Sequence, residues 1–219
     1  MNFNKYKQKY QADNITLYQA DCMEMLSQIP DKYYELAIID PPYGIERFKH
    51  GSLRFDKIEE YKNGLEWNCK PTKQYFTELL RVTHKAIIWG ANNFKLPPTE
   101  YFVIWNKMQT VNNFATCEYA WTNCKQPAKM FNFSIHQHNQ VKKIHPTQKP
   151  VKLYEWLLRE YAQEGNKILD THGGSMSIAI ACYNFNFALT LFEIDEDYYN
   201  AGVQRFRKHR LQQRLFKRS

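Results

Sequence analysis

Asp40, Pro41, Pro42, Tyr43 and Gly44 directly follow the apolar run Leu36-Ala37-Ile38-Ile39, which reads as a buried strand. Proline fixes φ and carries no amide hydrogen, and the residue before it is pushed into extended geometry. Backbone carbonyls in such a stretch stay out of helix and ladder pairing and can face a ligand. The Asp40 carboxylate adds a side-chain acceptor, and Tyr43 adds a flat ring. Two acceptors beside a stacking surface suit a planar group carrying an NH2, such as the exocyclic amine of a nucleobase. Taken alone, the tetrapeptide is about as well explained as an ordinary turn after a strand.

A second chemical constellation lies in the last third of the chain. Lys167-Ile168-Leu169-Asp170 reads as a strand and Thr171-His172-Gly173-Gly174-Ser175-Met176-Ser177 as a turn. A helix opens at Ile178, and Phe187 to Phe192 forms the next strand, ending at Glu193. Glycines in the turn let the backbone approach a ligand, and an acid about 20 residues on takes ribose hydroxyls, the layout of a nucleoside-binding βαβ unit. Asp21 also follows a short strand, Ile15 to Tyr18, where it suits either a helix N-cap or a ligand at the strand's carboxyl end. His145-Pro146-Thr147-Gln148-Lys149-Pro150 is a further punctuated stretch.

The elements that must position these groups alternate between strand and helix. A helix is expected from about Met23 to Gln28. Another begins at Pro71 with Tyr75, Phe76, Leu79, Leu80 and Val82 on its apolar side. Ala86 to Gly90 and Tyr101 to Trp105 are strands, and Cys117 to Trp121 with Met130 to Phe133 suggest a hairpin at one sheet edge. Tyr154, Leu157, Leu158 and Tyr161 follow helical spacing, with Gly165 ending that helix. Asp195 to Ser219 reads as one helix with Arg205, Arg207, Lys208, Arg210, Arg214, Lys217 and Arg218 toward its end. Those cations suit a solvated C-terminal face or phosphate contact. Between Gly44 and Lys70 the pattern dissolves; Arg47, Lys49, His50, Arg54 and Lys57 are scattered there, with Trp67 near the end. A stretch this long is a mobile loop or a cover over the site.

With 219 residues and 43% apolar content, the chain suits a single α/β domain. It has no segment long enough for a bilayer and no secretory core at Met1-Asn2-Phe3-Asn4-Lys5. The five cysteines never form a C-x-x-C pair and fit reduced thiols in a cytoplasmic protein without a metal. His136 and His138 fit a loop better than a metal site. A net charge of +8 is compatible with a polyanionic partner.

Asp40-Pro41-Pro42-Tyr43, then His145 to Pro150, then the Asp170 to Glu193 unit, in that order, resemble the β-class DNA amino-methyltransferases. Compact phage-borne N6-adenine enzymes look most similar. The similarity runs from about Ile15 to Tyr199, including Ile88-Trp89-Gly90 and Ala120-Trp121. It implies a Rossmann-like, mostly parallel sheet with helices on both faces, the fold of S-adenosylmethionine-dependent methyltransferases, in circularly permuted order with the catalytic half first. One methyltransferase domain would span residues 1–219, with a mobile loop at about 44–70 and a small recognition insert at about 122–144.

The resemblance also implies roles. Glu193 would bind both ribose hydroxyls of S-adenosylmethionine, with Ile194 beside its adenine. Asp21, next to Cys22, would sit near the adenine amine. Asp170, His172, Gly173, Gly174, Ser175 and Ser177 would surround the methionine part, and Thr147 and Lys149 would close over its amino-acid end. Asp40 and the Pro41 carbonyl, with Pro42 and Tyr43, would form the catalytic group: the acceptors hold the amine while Tyr43 stacks on a base rotated out of the duplex. The one departure is Met176, where the family usually has glycine. A side chain there would crowd the cofactor or need an unusual backbone angle.

These features lead to site-specific methylation of adenine N6 in DNA. N4-cytosine methylation stays open, as does a catalytically weak or inactive DNA-binding relative, and methylation of RNA or of a protein amide is a third reading. The short insert leaves little material for reading bases, so either a short recognition sequence or a homodimer is expected.

Overall fold

The computed structural model describes residues 8–44, 69–112 and 114–216. The expected loop residues Arg47, Lys49, His50, Arg54, Lys57 and Trp67, and the tail residues Lys217 and Arg218, lie outside them.

Among the described residues nine strands form one sheet. In chain order they are β1 (Gln8–Ala12), β2 (Ile15–Gln19), β3 (Tyr34–Ile39), β4 (Thr83–Trp89), β5 (Phe102–Asn106), β6 (Cys117–Thr122), β7 (Lys129–Asn132), β8 (Lys167–Asp170) and β9 (Ala188–Glu193). Their order across the sheet is β1-β2-β9-β8-β3-β4-β6-β5-β7. The central five strands, β2 through β4, are mutually parallel. β1 pairs antiparallel at one edge, and β6 is antiparallel to both β4 and β5. The helices are α1 (Cys22–Leu26), α2 (Lys73–Val82), α3 (Ile135–Asn139), α4 (Val151–Tyr161), α5 (Ser177–Asn184) and α6 (Glu196–Phe216).

Strand periodicity explains why the sheet is covered on both faces. Successive side chains of a strand point to opposite sides. In β3, Leu36 and Ile38 join one core with Leu157, Ile180 and Phe206, while Ala37 and Ile39 join a second with Met25 and Leu79. The first core is roofed by α4, α5 and α6, the second by α1 and α2. Because both faces of β3 and β4 are buried, their sequences are continuous apolar runs instead of alternating ones.

Several sequence expectations are corrected. Cys117–Thr122 and Lys129–Asn132 do not form a hairpin, because β5 lies between them. One edge of β6 is taken by β4 and the other by β5, so β7 can add only at the outer edge of β5, where it runs parallel. Pro71 lies outside α2, whose N-cap is Thr72, accepting from the Tyr75 amide. Helix α4 ends at Tyr161, and Gly165 instead makes the turn into β8 at φ +83. His136 and His138 lie on α3, not in a loop; His138 is buried with Nε2 2.6 Å from the Gln148 carbonyl. Among the described residues no helix is long and apolar enough to cross a membrane.

Candidate functional site

The parallel strands β3, β8 and β9 finish at one edge of the sheet, each with an acid. Asp40 follows β3, Asp170 ends β8 and Glu193 ends β9. Open α/β sheets bind ligands outside such carboxyl ends. A cleft open to solvent lies there, enclosing about 740 Å³ of space continuous with the solvent. The stretch Asp40–Tyr43 lines one side and Gly173–Ser175 with Glu193 the other. Thr147, Lys149, His172 and Ile194 also face it. The two constellations, distant in sequence, therefore share one space.

Glu193 is buried and held from two directions. Its Oε2 accepts from the Gly174 amide at 2.6 Å and its Oε1 from the Asp195 amide at 2.9 Å. Burial pushes its carboxyl up to about 7 even though those amides pull it down. Asp170 does not line the cavity. It is buried beneath the turn, where Oδ1 accepts from the His172 amide at 3.0 Å, and burial raises it to about 8. Burial also lowers His172 to about 4, so its ring is neutral at ordinary pH.

The turn favours glycine at Gly173 and at Gly174 for different reasons. A Cβ on Gly173 would strike Leu191, and Gly174 has φ +47. Met176 also takes the left-handed conformation, φ 55 and ψ 32, which costs an L-residue about 1–2 kcal/mol. Its side chain does not reach the cavity. It is fully buried in the core shared with α6, where its Cγ and Sδ lie 2.7 and 2.8 Å from the position a Cβ on Gly202 would take. The unusual backbone angle is thus present, and the crowding expected of Met176 is absent.

On the other side, the Tyr43 hydroxyl donates to Asp40 Oδ1 at 2.5 Å, and the ring meets Phe94 edge-on. The Lys149 ammonium contacts Asp40 Oδ2 and donates to the Tyr43 hydroxyl at 3.3 Å. Both Asp40 oxygens therefore have partners within the chain. Lys149 is 4% exposed. It is turned toward Asp40, not toward Gly173–Ser175. Burial raises the Asp40 carboxyl, and the adjoining Lys149 charge pulls it back.

Besides Asp170, three expected site residues stand apart from the cavity lining. Asp21 caps α1, its Oδ1 accepting from the Met23 amide at 2.8 Å, and is exposed. Cys22 opens that helix, and burial pushes its thiol up to about 12. Ser177 is buried, donating to the Lys149 carbonyl at 2.8 Å and accepting from Arg205 at 3.0 Å. Arg205 also binds the Ser175 carbonyl at 2.6 Å, and Arg210 pairs with Asp13 at 2.6 Å, so these two tail cations serve the fold. Among the described residues no group of three or more His, Cys, Asp or Glu side chains is placed to hold a metal.

Sequence reasoning missed His145, Gln148, Tyr154 and Tyr198, which also line the cavity. Burial, with Lys149 nearby, lowers His145 to about 3. It missed Glu118 on β6 as well, which lies behind Lys149. A charged residue in an alternating strand carries no local mark of what it will face.

Residues 80–204 match the family model described as DNA methylase. Type II methyltransferase M.HpaI of Haemophilus parainfluenzae is 32% identical over 80 residues, 36% of this chain. That match spans only 26% of the relative's length. Type II methyltransferase M2.MboI of Moraxella bovis is 23% identical across 81% of this chain and 82% of its own. Among solved structures, the M1.HpyAVI–SAM complex superposes with TM-score 0.58 at 17% identity, covering 87% of this chain and 99% of that one. PvuII DNA methyltransferase, cytosine-N4-specific, does so with TM-score 0.61 at 16% identity, covering 93% and 90%. At these identities the structural likeness speaks for the fold.

Proposed function

From the premise that the chain belongs to the DNA methylase family of N6 and N4 amino-methyltransferases, we propose that it methylates adenine N6 in DNA, with S-adenosylmethionine as donor. The observation that carries this reading is the single cavity between Asp40–Tyr43 and Glu193. Residues suited to a nucleoside-bearing donor and residues suited to an aromatic amine line the same space.

The residues present fit such a donor. The buried Glu193 carboxylate can accept from two ribose hydroxyls, and the close turn at Gly173 and Gly174 lets the ligand approach the backbone. Ile194, 56% exposed beside Glu193, offers an apolar surface to a purine. The bound cofactor supplies an electrophilic methyl group on a cationic sulfur.

The chain's own residues then act on the amine. Adenine N6 is a poor nucleophile because its lone pair is delocalised into the ring. Asp40 and the Pro41 carbonyl, accepting its two hydrogens, favour a pyramidal nitrogen with the lone pair turned toward the methyl group. As positive charge develops on nitrogen, the Asp40 carboxylate stabilises it without reorganising. The surplus proton then leaves along the hydrogen bond to Asp40. Holding both partners in line supplies much of the remaining acceleration. To reach an extruded base, Asp40 must exchange a contact with Tyr43 or Lys149 for one with the amine.

Cytosine N4 presents the same pair of hydrogens, and this site could serve it by the same contacts. Mass spectrometry of nucleosides from treated, unmethylated DNA separates the two products. N4-methylcytosine without N6-methyladenine would replace the adenine reading, and no methylated base with any DNA would end both. Asp40→Ala should abolish transfer while calorimetry still detects the cofactor. We extend the proposal to one methyltransferase unit across the described residues, assembled as a homodimer on DNA so that a second copy lends base recognition. Sedimentation with and without DNA checks the assembly.

A further inference from the structure

A chain of alternating charge runs from the sheet into the catalytic side of the cavity. Lys107, just after β5, pairs with Glu118 Oε1 at 2.7 Å and lies 5.3 Å from the Trp105 ring centroid. Glu118 Oε2 forms an ion pair with the Lys149 ammonium at 3.1 Å. Lys149 in turn contacts Asp40 Oδ2 and the Tyr43 hydroxyl. Its ammonium also sits 5.6 Å from the Trp89 ring centroid and 5.8 Å from that of Tyr43. One buried cation is therefore shared by two carboxylates.

The sharing has a chemical consequence, which rests on the methyl-transfer reading above. Positive charge must grow on an amine held by Asp40. An ammonium fixed to Asp40 alone would repel that charge and occupy the oxygen the amine needs. A second carboxylate can retain the ammonium while Asp40 turns to the substrate. Glu118 is suited to this because it remains ionised: burial works against its charge, but Lys149 and Lys107 hold it down to about 2. Its Oε2 is already within ion-pair distance of the ammonium, so Glu118 can retain it when Asp40 turns away.

We propose that Glu118 is a positioning residue for methyl transfer, holding the Lys149 ammonium so that an Asp40 oxygen can accept the target amine. It touches neither substrate nor donor and acts through Lys149.

The test is a double-mutant cycle with Glu118→Gln, Lys149→Met and the pair together. Glu118→Gln should lower kcat roughly 10- to 100-fold, leaving the cofactor dissociation constant within about threefold. With Lys149 already replaced, adding Glu118→Gln should change kcat by less than about twofold, because its target is gone. Glu118→Asp, which keeps the charge, should recover part of the loss. A second readout needs no activity: the 13C carboxyl titration of Asp40 should move to lower pH in Glu118→Gln, because Lys149 then belongs to Asp40 alone. Circular dichroism confirms that each variant is folded.

Wild-type kcat in Glu118→Gln, additive effects of the two substitutions, or an unmoved Asp40 titration each overturn the proposal. Wild-type protein that methylates no DNA base is a different failure. It overturns the methyl-transfer reading, and the Asp40 titration still reports whether Glu118 controls Lys149.

Discussion

The Tyr43 ring occupies the space that a side chain at residue 90 would need. Gly90, directly after β4, has φ +66, and a Cβ built there would fall onto the ring. The end of β4 thus makes room for the tyrosine that follows β3. Gly90→Ala should cost about 1–2 kcal/mol from the backbone angle alone and displace Tyr43 from Asp40. The expected result is a kcat at least about tenfold lower, with cofactor affinity unchanged. An alanine variant with full activity would show that the ring need not rest where it does.

Met176→Gly separates two effects of one residue. Glycine would relieve the left-handed backbone, worth roughly 1–2 kcal/mol. Removing the fully buried side chain beneath α6 costs about 2–5 kcal/mol. The cavity term wins, so the melting temperature should fall. Cofactor affinity should hold, because the side chain points into the core. Tighter cofactor binding in Met176→Gly, measured calorimetrically, would mean that the methionine does obstruct the site.

Cofactor affinity should rise with pH around neutrality. Burial raises Glu193 to about 7, and only its ionised form accepts from both ribose hydroxyls. The dissociation constant should therefore decrease from pH 6 to pH 8 and level off above, with protons released to buffer near pH 7. Glu193→Gln should weaken binding and flatten the profile. Calorimetry in two buffers of different ionisation enthalpy measures the proton release. A pH-independent affinity in the wild type rules the mechanism out.

Folding stability of the ligand-free protein should run the other way. Asp170 and Glu193 have folded pKa values raised to about 8 and about 7. Their contribution is fully present below their unfolded values and is lost as pH rises through the folded ones. His172 and His145 are depressed to about 4 and about 3. Their contribution is present above their unfolded value and is lost as pH falls through the folded ones. Above about pH 6.5 the histidines are neutral in both states and only the raised carboxyls act. Urea midpoints should therefore decline from about pH 6.5 toward pH 8. A midpoint that climbs steadily from pH 6 to 8 contradicts the raised carboxyls.

Much of this architecture is legible in the sequence because burial on both faces writes itself as apolar runs. Leu36–Ile39, Ala86–Trp89 and Ile168–Leu169 are such runs, and an acid closes two of them. Helix α4 shows its spacing for the same reason. Strand β1, Gln-Lys-Tyr-Gln-Ala, is too polar to stand out, because an edge strand needs only one covered face. The order β6-β5-β7 is set by which edges remain free, and local sequence holds no record of that. In the site, Gly173, Gly174 and Glu193 are readable from spacing along one βαβ unit. Glu118 on β6 and Lys149, in the segment before α4, meet from 31 positions apart, and no spacing rule spans them.

Strand β8 lies between β9 and β3 and contributes no loop of its own to the Asp40 side. Neighbouring strands stand about 4.8 Å apart, so the ends carrying Glu193 and Asp40 are held roughly 10 Å from each other by backbone hydrogen bonding. Donor-to-acceptor reach is accordingly a property of the scaffold and not of the surface segments around it. Segments that read different sequences could be exchanged on this frame by engineering, or by evolution, without recalibrating the distance over which the group is handed across.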